Sequence, residues 1–229
     1  MKIGILQTGR SPEQLVSEFG EYGEMFQTML ANRGFDFLTY DVIESEFPKS
    51  IDECDGWIIT GSKFGAYEDH PWIPPLESLV RELHAAKRPL IGVCFGHQII
   101  AQALGGTVEK YKGGWSVGRV EYATIDGRTL PLFAWHQDQV TTPPPEAVTV
   151  SSTDFCKHAA MTIGDHIYTI QPHPEFDAGF VKGLAETRAK GVVPDPQRLA
   201  AIKSADAPVA KTEMADLFAS FLKGAMAHG

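Results

Sequence analysis

The pattern of apolar and polar positions changes character twice along the 229 residues. "KIGILQ" at 2–7 predicts a buried strand, and the segment after it carries Leu15, Phe19, Phe26 and Leu30 near helical spacing. "FDFLTYD" (35–41) and "GWIIT" (56–60) predict further strands. Between Pro71 and Pro89, Ile73, Leu76, Val80 and Leu83 fall on one helical face. "RPLIGV" then reads as a strand, and Phe95 to Leu104 as a helix closed by Gly105-Gly106. Strand alternating with helix implies an α/β fold: a parallel sheet with helices on both faces.

After Gly106 the helical period fades. "GRVEYATI", "AVTVSS", "AAMTIG" and "HIYTIQP" are short β-like runs between turn residues, expected as antiparallel strands on the edge of the parallel core. Helical spacing returns after Pro174 with Phe176, Phe180 and Leu184, and a last helix places Met214, Leu217, Phe218, Phe221 and Leu222 on one face. The intervening "GVVPDPQRLAAIKSADAPVA" is punctuated by proline and rich in alanine, and no element is assigned to it. Without an internal repeat, low-complexity tract or linker, the expectation is one domain over 1–229, with a core to about 190 and a C-terminal helical extension from about 191 to 229.

Composition narrows the function classes. Hydrophobic residues make up 43% and charged residues 21%, ordinary for a soluble protein with a substantial core. A formal net charge of -9 argues against a surface built for nucleic-acid backbones. No apolar run is long enough for a membrane span, and the first apolar stretch is too short for a signal peptide. Three cysteines, an odd number, do not make a disulfide framework, so a reducing, cytoplasmic setting is expected.

One of those cysteines stands where chemistry is expected. In "GVCFG" (92–96), Cys94 sits between glycines where a strand turns into a helix. Open α/β sheets gather reactive groups at the carboxyl ends of strands. The glycines of a G-x-S-x-G elbow permit the tight turn that lifts the central side chain out of the sheet, and Cys94 takes the serine position. The helix N-terminus favours negative charge and thus the thiolate. The N–H of Phe95, next in the chain, supplies half of an oxyanion hole.

A thiolate nucleophile needs a base and a group to orient that base. "IQPHPEF" (170–176) offers His173 and Glu175, two apart on an extended segment that Pro174 enforces, so the two side chains point the same way. A carboxylate on one imidazole nitrogen fixes the tautomer and leaves the other nitrogen for the sulfur. The tripeptide alone reads as a surface turn. With the cysteine elbow upstream it reads as a base and its orienter.

"GVCFGHQIIAQALGG" followed by "HPE" resembles the class I glutamine amidotransferases, the Cys-His-Glu glutaminase domains, from the first strand to about Phe176. The resemblance implies a flavodoxin-like core, with Cys94, His173 and Glu175 at the triad positions. It implies that Gln98 contacts substrate, and that Gln137 and Asp138, in the Trp135-His136-Gln137-Asp138 stretch, line the pocket for the glutamyl amino and carboxylate groups. The family's second oxyanion amide comes from a Gly-Gly-Pro-like turn. Here that turn is Thr60-Gly61-Ser62-Lys63, so by position the donor is the Ser62 N–H, with Gly61 supplying backbone freedom. "TGSKFGAY" is similar to the turn of stand-alone members related to the glutaminase of GMP synthase, some of which are γ-glutamyl peptidases acting on glutathione-like compounds. The implied chemistry is hydrolysis of a γ-glutamyl amide through a γ-glutamyl thioester, with no metal or cofactor.

Other residues are weaker candidates. Cys54 and Cys156 lie away from the elbow, His97 faces around the helix from Cys94, and Trp115 either walls the pocket or packs. Glu68, Asp69 and His70 lack a second ligand pair with zinc-like spacing and read as a solvated loop near the site mouth. No phosphate-binding loop or synthetase segment is present, so any ammonia acceptor belongs to a separate synthetase subunit. Three alternatives to glutamine hydrolysis stay open: a γ-glutamyl peptidase, another cysteine-elbow enzyme, and a non-catalytic regulatory module that keeps the fold.

Overall fold

Five strands lie parallel: β1 (Lys2–Gln7), β2 (Asp36–Asp41), β3 (Gly56–Ile59), β4 (Leu90–Val93) and β11 (Ile167–Ile170). The computed structural model describes residues 1–224, so positions 225–229 of the expected C-terminal extension lie outside the described residues. β6 (Ser116–Thr124), β7 (Thr129–His136), β9 (Ala147–Ser152) and β10 (Ala160–Ile163) continue the sheet in antiparallel fashion. Among the described residues this gives a nine-stranded sheet of order β2-β1-β3-β4-β11-β10-β9-β6-β7. A separate antiparallel pair joins β5 (Thr107–Lys110) to β8 (Asp138–Thr142).

Alternation along the strands splits the core into two layers. On one face Ile3, Ile5, Ile58 and Val93 pack with Phe26 and Met29 of α2 (Tyr22–Met29) and with Met214, Phe218 and Phe221 of α7 (Lys211–Leu222). On the other, Leu6, Trp57 and Ile59 meet Leu76, Val80 and Leu83 of α3 (Ile73–Ala85) and Phe95, Ile99 and Ile100 of α4 (Phe95–Ala103). No helix among the described residues is long and apolar enough to cross a membrane.

Besides β5, β7 and β8, which none of the expected β-like runs covers, the structure departs from the sequence expectations at three places. The helical segment after β1 is two helices: α1 (Glu13–Phe19) stops at Gly20, which takes φ 76°, and a capping box between Glu21 and Glu24 starts α2. "DPQRLAAIKS" forms α6 (Asp195–Ser204), with Ala201 its one buried residue, too little apolar surface for a periodic signal. The third correction matters for the site. β11, expected among the antiparallel edge strands, is antiparallel to β10 on one side but parallel to β4 on the other, with Ile167 to Ile170 in register with Leu90 to Val93. The two strands end side by side and point the same way, so the residues following each of them meet.

Candidate active site

Cys94 directly follows β4 as the N-cap of α4, with φ 53° and ψ -103°, a conformation rare for a residue with a side chain. The flanking glycines make this turn possible through space. A Cβ on Gly92 would come within 2.5 Å of the Gly96 carbonyl oxygen, and one on Gly96 within 2.3 Å of the Ile59 carbonyl oxygen. The strand-to-helix turn is therefore packed backbone against backbone, and the Cys94 side chain is left facing a cavity of about 410 Å³.

His173 follows β11 and is fixed by its own N–H donating to the Phe133 carbonyl at 2.8 Å. Its Nδ1 lies 2.7 Å from Glu175 Oε1, and its ring is stacked at 4.0 Å on Phe176. Glu175 is 2% exposed, and its Oε2 has no hydrogen-bond partner among the described residues. With Nδ1–H donating to the carboxylate, Nε2 is the nitrogen left for Cys94. Burial opposes charging of His173, but the Glu175 carboxylate and the adjacent Cys94 outweigh it and raise the imidazole to about 10. The direction favours the protonated ring.

Gly61 does something other than supply a special backbone angle, since its φ lies outside the left-handed region. A Cβ there would stand 2.8 Å from His173 Cε1 and 3.7 Å from Cys94 Cβ, so the missing side chain is what lets the imidazole close on the elbow. The Gly61 carbonyl oxygen accepts from Thr60 Oγ1 at 3.1 Å and lies 3.3 Å from Thr8 Oγ1. Thr8 and Thr60 are also joined through the Thr8 N–H, which donates to Thr60 Oγ1 at 3.0 Å. In a trans peptide the C=O and the following N–H point in opposite directions. Holding the carbonyl on the threonine pair therefore points the Ser62 N–H away from Thr8 and Thr60, and Ser62 itself lines the cavity. Neither the Ser62 nor the Phe95 amide donates to a protein acceptor among the described residues.

Gln98, Gln137 and Asp138 line the same cavity. Gln98 donates from Nε2 to the Asp138 carbonyl at 2.8 Å and to Gln171 Oε1 at 3.1 Å, which leaves its own carbonyl oxygen for a ligand. Gln137 donates to the Tyr111 carbonyl at 3.3 Å. The Asp138 carboxylate accepts from Tyr67 at 2.9 Å; burial raises its pKa, and the tyrosine bond offsets part of that. Trp115 lines the cavity. His97 is buried, with Nδ1 2.8 Å from Thr169 Oγ1, and burial lowers its pKa to about 3. Cys54 and Cys156 are both buried; burial raises the Cys54 thiol and pushes Cys156 up to about 12. Glu68 and His70 pair with each other at 2.8 Å, and no group of three or more metal-ligating side chains converges among the described residues.

Sequence reasoning missed the Thr8–Thr60 clasp, the Phe176 stack and several further lining residues, among them Tyr22, Tyr67 and Arg188. The "TG" step at 60–61 is a usable signal for the first. No local pattern marks the others, which arrive from separate elements.

The family described as glutamine amidotransferase class-I matches residues 15–182. γ-Glutamyl peptidase 5 of Arabidopsis thaliana is 32% identical over 69% of this chain and 69% of its own length. One subunit of the glutamine-hydrolysing GMP synthase of Halobacterium salinarum is 29% identical over 70% of this chain and 87% of its own. Among solved structures, a glutamine amidotransferase from Methylobacillus flagellatus superposes with a TM-score of 0.76 at 23% identity, covering 97% of this chain and 94% of that one. One from Thermotoga maritima superposes with a TM-score of 0.77 at 18% identity, covering 100% and 99%. These two likenesses bear on the fold.

Proposed function

Because the chain belongs to the class I glutamine amidotransferases, a family of enzymes, we propose that it hydrolyses a γ-glutamyl amide through a thioester on Cys94. Cys94 attacks the γ-carbonyl carbon, forming the C–S bond and placing negative charge on the carbonyl oxygen. The N–H groups of Phe95 and Ser62 donate to that oxygen, in a site where preorganised donors count most. As the C–N bond breaks, the proton on His173 passes to the departing nitrogen. Water then attacks the thioester, giving its proton to His173, and the C–S bond breaks to release glutamate and restore Cys94. Glu175 keeps the imidazole in one tautomer and stabilises its charged form. Gln98, Gln137 and Asp138 hold the free α-amino and α-carboxylate groups of the glutamyl unit, which only a γ-linkage leaves available.

The observation that carries this reading is the meeting of Cys94, His173 and Glu175 beside two amides without protein acceptors. The clasp on the Gly61 carbonyl favours a chain that works alone, because it fixes the peptide that carries the proposed Ser62 donor through contacts within this chain. The GMP synthase relative keeps a second reading in play, in which a separate synthetase subunit receives the ammonia. Release of amine and glutamate by the isolated chain separates the two. Turnover of γ-glutamyl amides, with slower cleavage of α-linked glutamyl peptides, supports the free-standing hydrolase. Inertness relieved by adding a synthetase subunit supports the other.

A further inference from the structure

We propose that the active-site cavity contains a subsite for the carboxylate of the leaving amine, with Arg188 as its anion-binding group. The substrates are then γ-glutamyl amides of amino acids or peptides, in preference to glutamine. The inference rests on the hydrolase reading above and specifies what leaves.

The cavity has two ends. Gln98, Asp138 and Tyr67 are tied together at one, where the glutamyl unit is placed. At the other, Tyr22 lies 6.1 Å from Phe176, which is stacked on His173. The tyrosine edge also closes on the turn holding Ser62, since a Cβ on Gly9 would touch both the Tyr22 ring and Ser62 Cα. Tyr22 therefore shares the cavity with His173, the group that hands its proton to the departing nitrogen, and packs next to the ring stacked on it. Arg188 lies directly behind it, donating from Nη1 to the Tyr22 hydroxyl at 3.1 Å and from Nη2 to the Arg10 carbonyl at 2.7 Å.

Arg188 differs from every other arginine of the chain. Arg10, Arg33, Arg81, Arg88, Arg119, Arg128 and Arg198 each lie within 4.0 Å of a carboxylate. Arg188 has no carboxylate partner among the described residues, although the chain carries 29 acidic residues against 20 basic ones. It is half-buried, pinned by two neutral acceptors, and faces the cavity with donors to spare. A guanidinium held this way is preorganised for the forked geometry of a carboxylate, so little ordering is lost when one binds. Beside it Trp135, Val193 and the 57% exposed Val192 give the same end of the cavity an apolar wall. Anion anchor and apolar wall together fit an amino acid or short peptide with an apolar side chain. Ammonia, the leaving group of glutamine, engages neither. A cavity of about 410 Å³ is of the size that takes ligands larger than one amino acid, within the roughly 300–1,000 Å³ of small-molecule sites.

The carboxylate sits close to the scissile nitrogen in a γ-glutamyl amino acid and one residue further out in a γ-glutamyl dipeptide. The test therefore uses two matched pairs on the full chain: γ-glutamyl-leucine against γ-glutamyl-leucinamide, and γ-glutamyl-leucyl-glycine against its terminal amide. The expected result is a kcat/KM preference for the carboxylate in at least one pair of roughly 10- to 100-fold, the scale of a charge-assisted contact. The pair that shows it says which leaving group fits. Arg188→Gln collapses that ratio toward one, and Arg188→Lys keeps part of it. Damage to folding lowers both members of a pair and leaves their ratio alone. A ratio near one in both wild-type pairs overturns the proposal. So does a preference that survives Arg188→Gln, which would place the anion on another group such as Lys63. Inertness toward every γ-glutamyl compound is a different result and overturns the hydrolase reading along with this one.

Discussion

Gly61→Ala tests how tightly the site is assembled, because one methyl group is aimed at one ring. The added Cβ would lie 2.8 Å from His173 Cε1, and ordinary contact begins at 3.4 Å, so something must move by about 0.6 Å. The imidazole cannot retreat freely. Phe176 is stacked on it at 4.0 Å, and Glu175 holds Nδ1 at 2.7 Å. Gly61 cannot retreat freely either, with its carbonyl held by Thr60 and Thr8. Alanine has no difficulty with the backbone angle itself, since Gly61 lies outside the left-handed region. The cost is therefore steric and local. Overpacking of this kind costs about 1–3 kcal/mol of stability, while a misplacement approaching 1 Å at the reacting groups lowers rate by about 100-fold. The assay is kcat/KM on a γ-glutamyl amide alongside denaturant unfolding. The expectation is a large rate loss in a folded protein. An alanine variant within threefold of wild-type activity would refute the claim that Gly61 exists to admit His173.

Iodoacetamide near neutral pH alkylates Cys94 faster than Cys54 or Cys156, whose burial disfavours the thiolate; equal labelling of all three in the folded state, read by peptide mass mapping, would contradict this. Cys94→Ala abolishes turnover with the fold intact by circular dichroism, and Glu175→Gln loses less activity than His173→Ala; activity surviving in Cys94→Ala would mean another nucleophile. Stability has a pH profile with two limbs. His97 and His136, lowered by burial from 6.5 to about 3 and about 4, contribute stability that is full above pH 6.5 and is lost as pH falls through those values, so His97→Gln flattens the acid limb. His173, raised to about 10 as Glu175 and Cys94 outweigh burial, contributes stability that is full below pH 6.5 and is lost as pH rises through 10; unchanged limbs in His97→Gln and His173→Ala unfolding curves would contradict both assignments.

The parts of the site that are legible in the sequence are those set by neighbours in the chain. Cys94 between Gly92 and Gly96, and His173 two residues from Glu175, are local patterns with local reasons. What the chain order conceals is how they meet. β11 follows a run of antiparallel strands and carries no mark of its parallel pairing with β4, which depends on the crossing of the whole sheet. The same holds for Arg188, whose partners are 166 and 178 positions away, and for the Thr8–Gly61 contact across 53. In the sequence Gly61 suggests a turn angle, whereas in the fold it matters for space, a distinction that requires knowing what lies opposite. α6 escapes notice because it presents almost no apolar face, and the α1–α2 break because Gly20 interrupts the backbone without changing the hydrophobic period.

The thioester on Cys94 is the most direct point of test. The Glu175→Gln chain, mixed with a γ-glutamyl amide it turns over slowly and quenched in acid, is read by intact-protein and peptide mass spectrometry. The expected result is a covalent gain of one γ-glutamyl unit on the peptide carrying Cys94, accumulating at the rate of amine release and absent from Cys94→Ala. Amine release with no adduct at any time, or an adduct on a peptide without Cys94, would contradict the account.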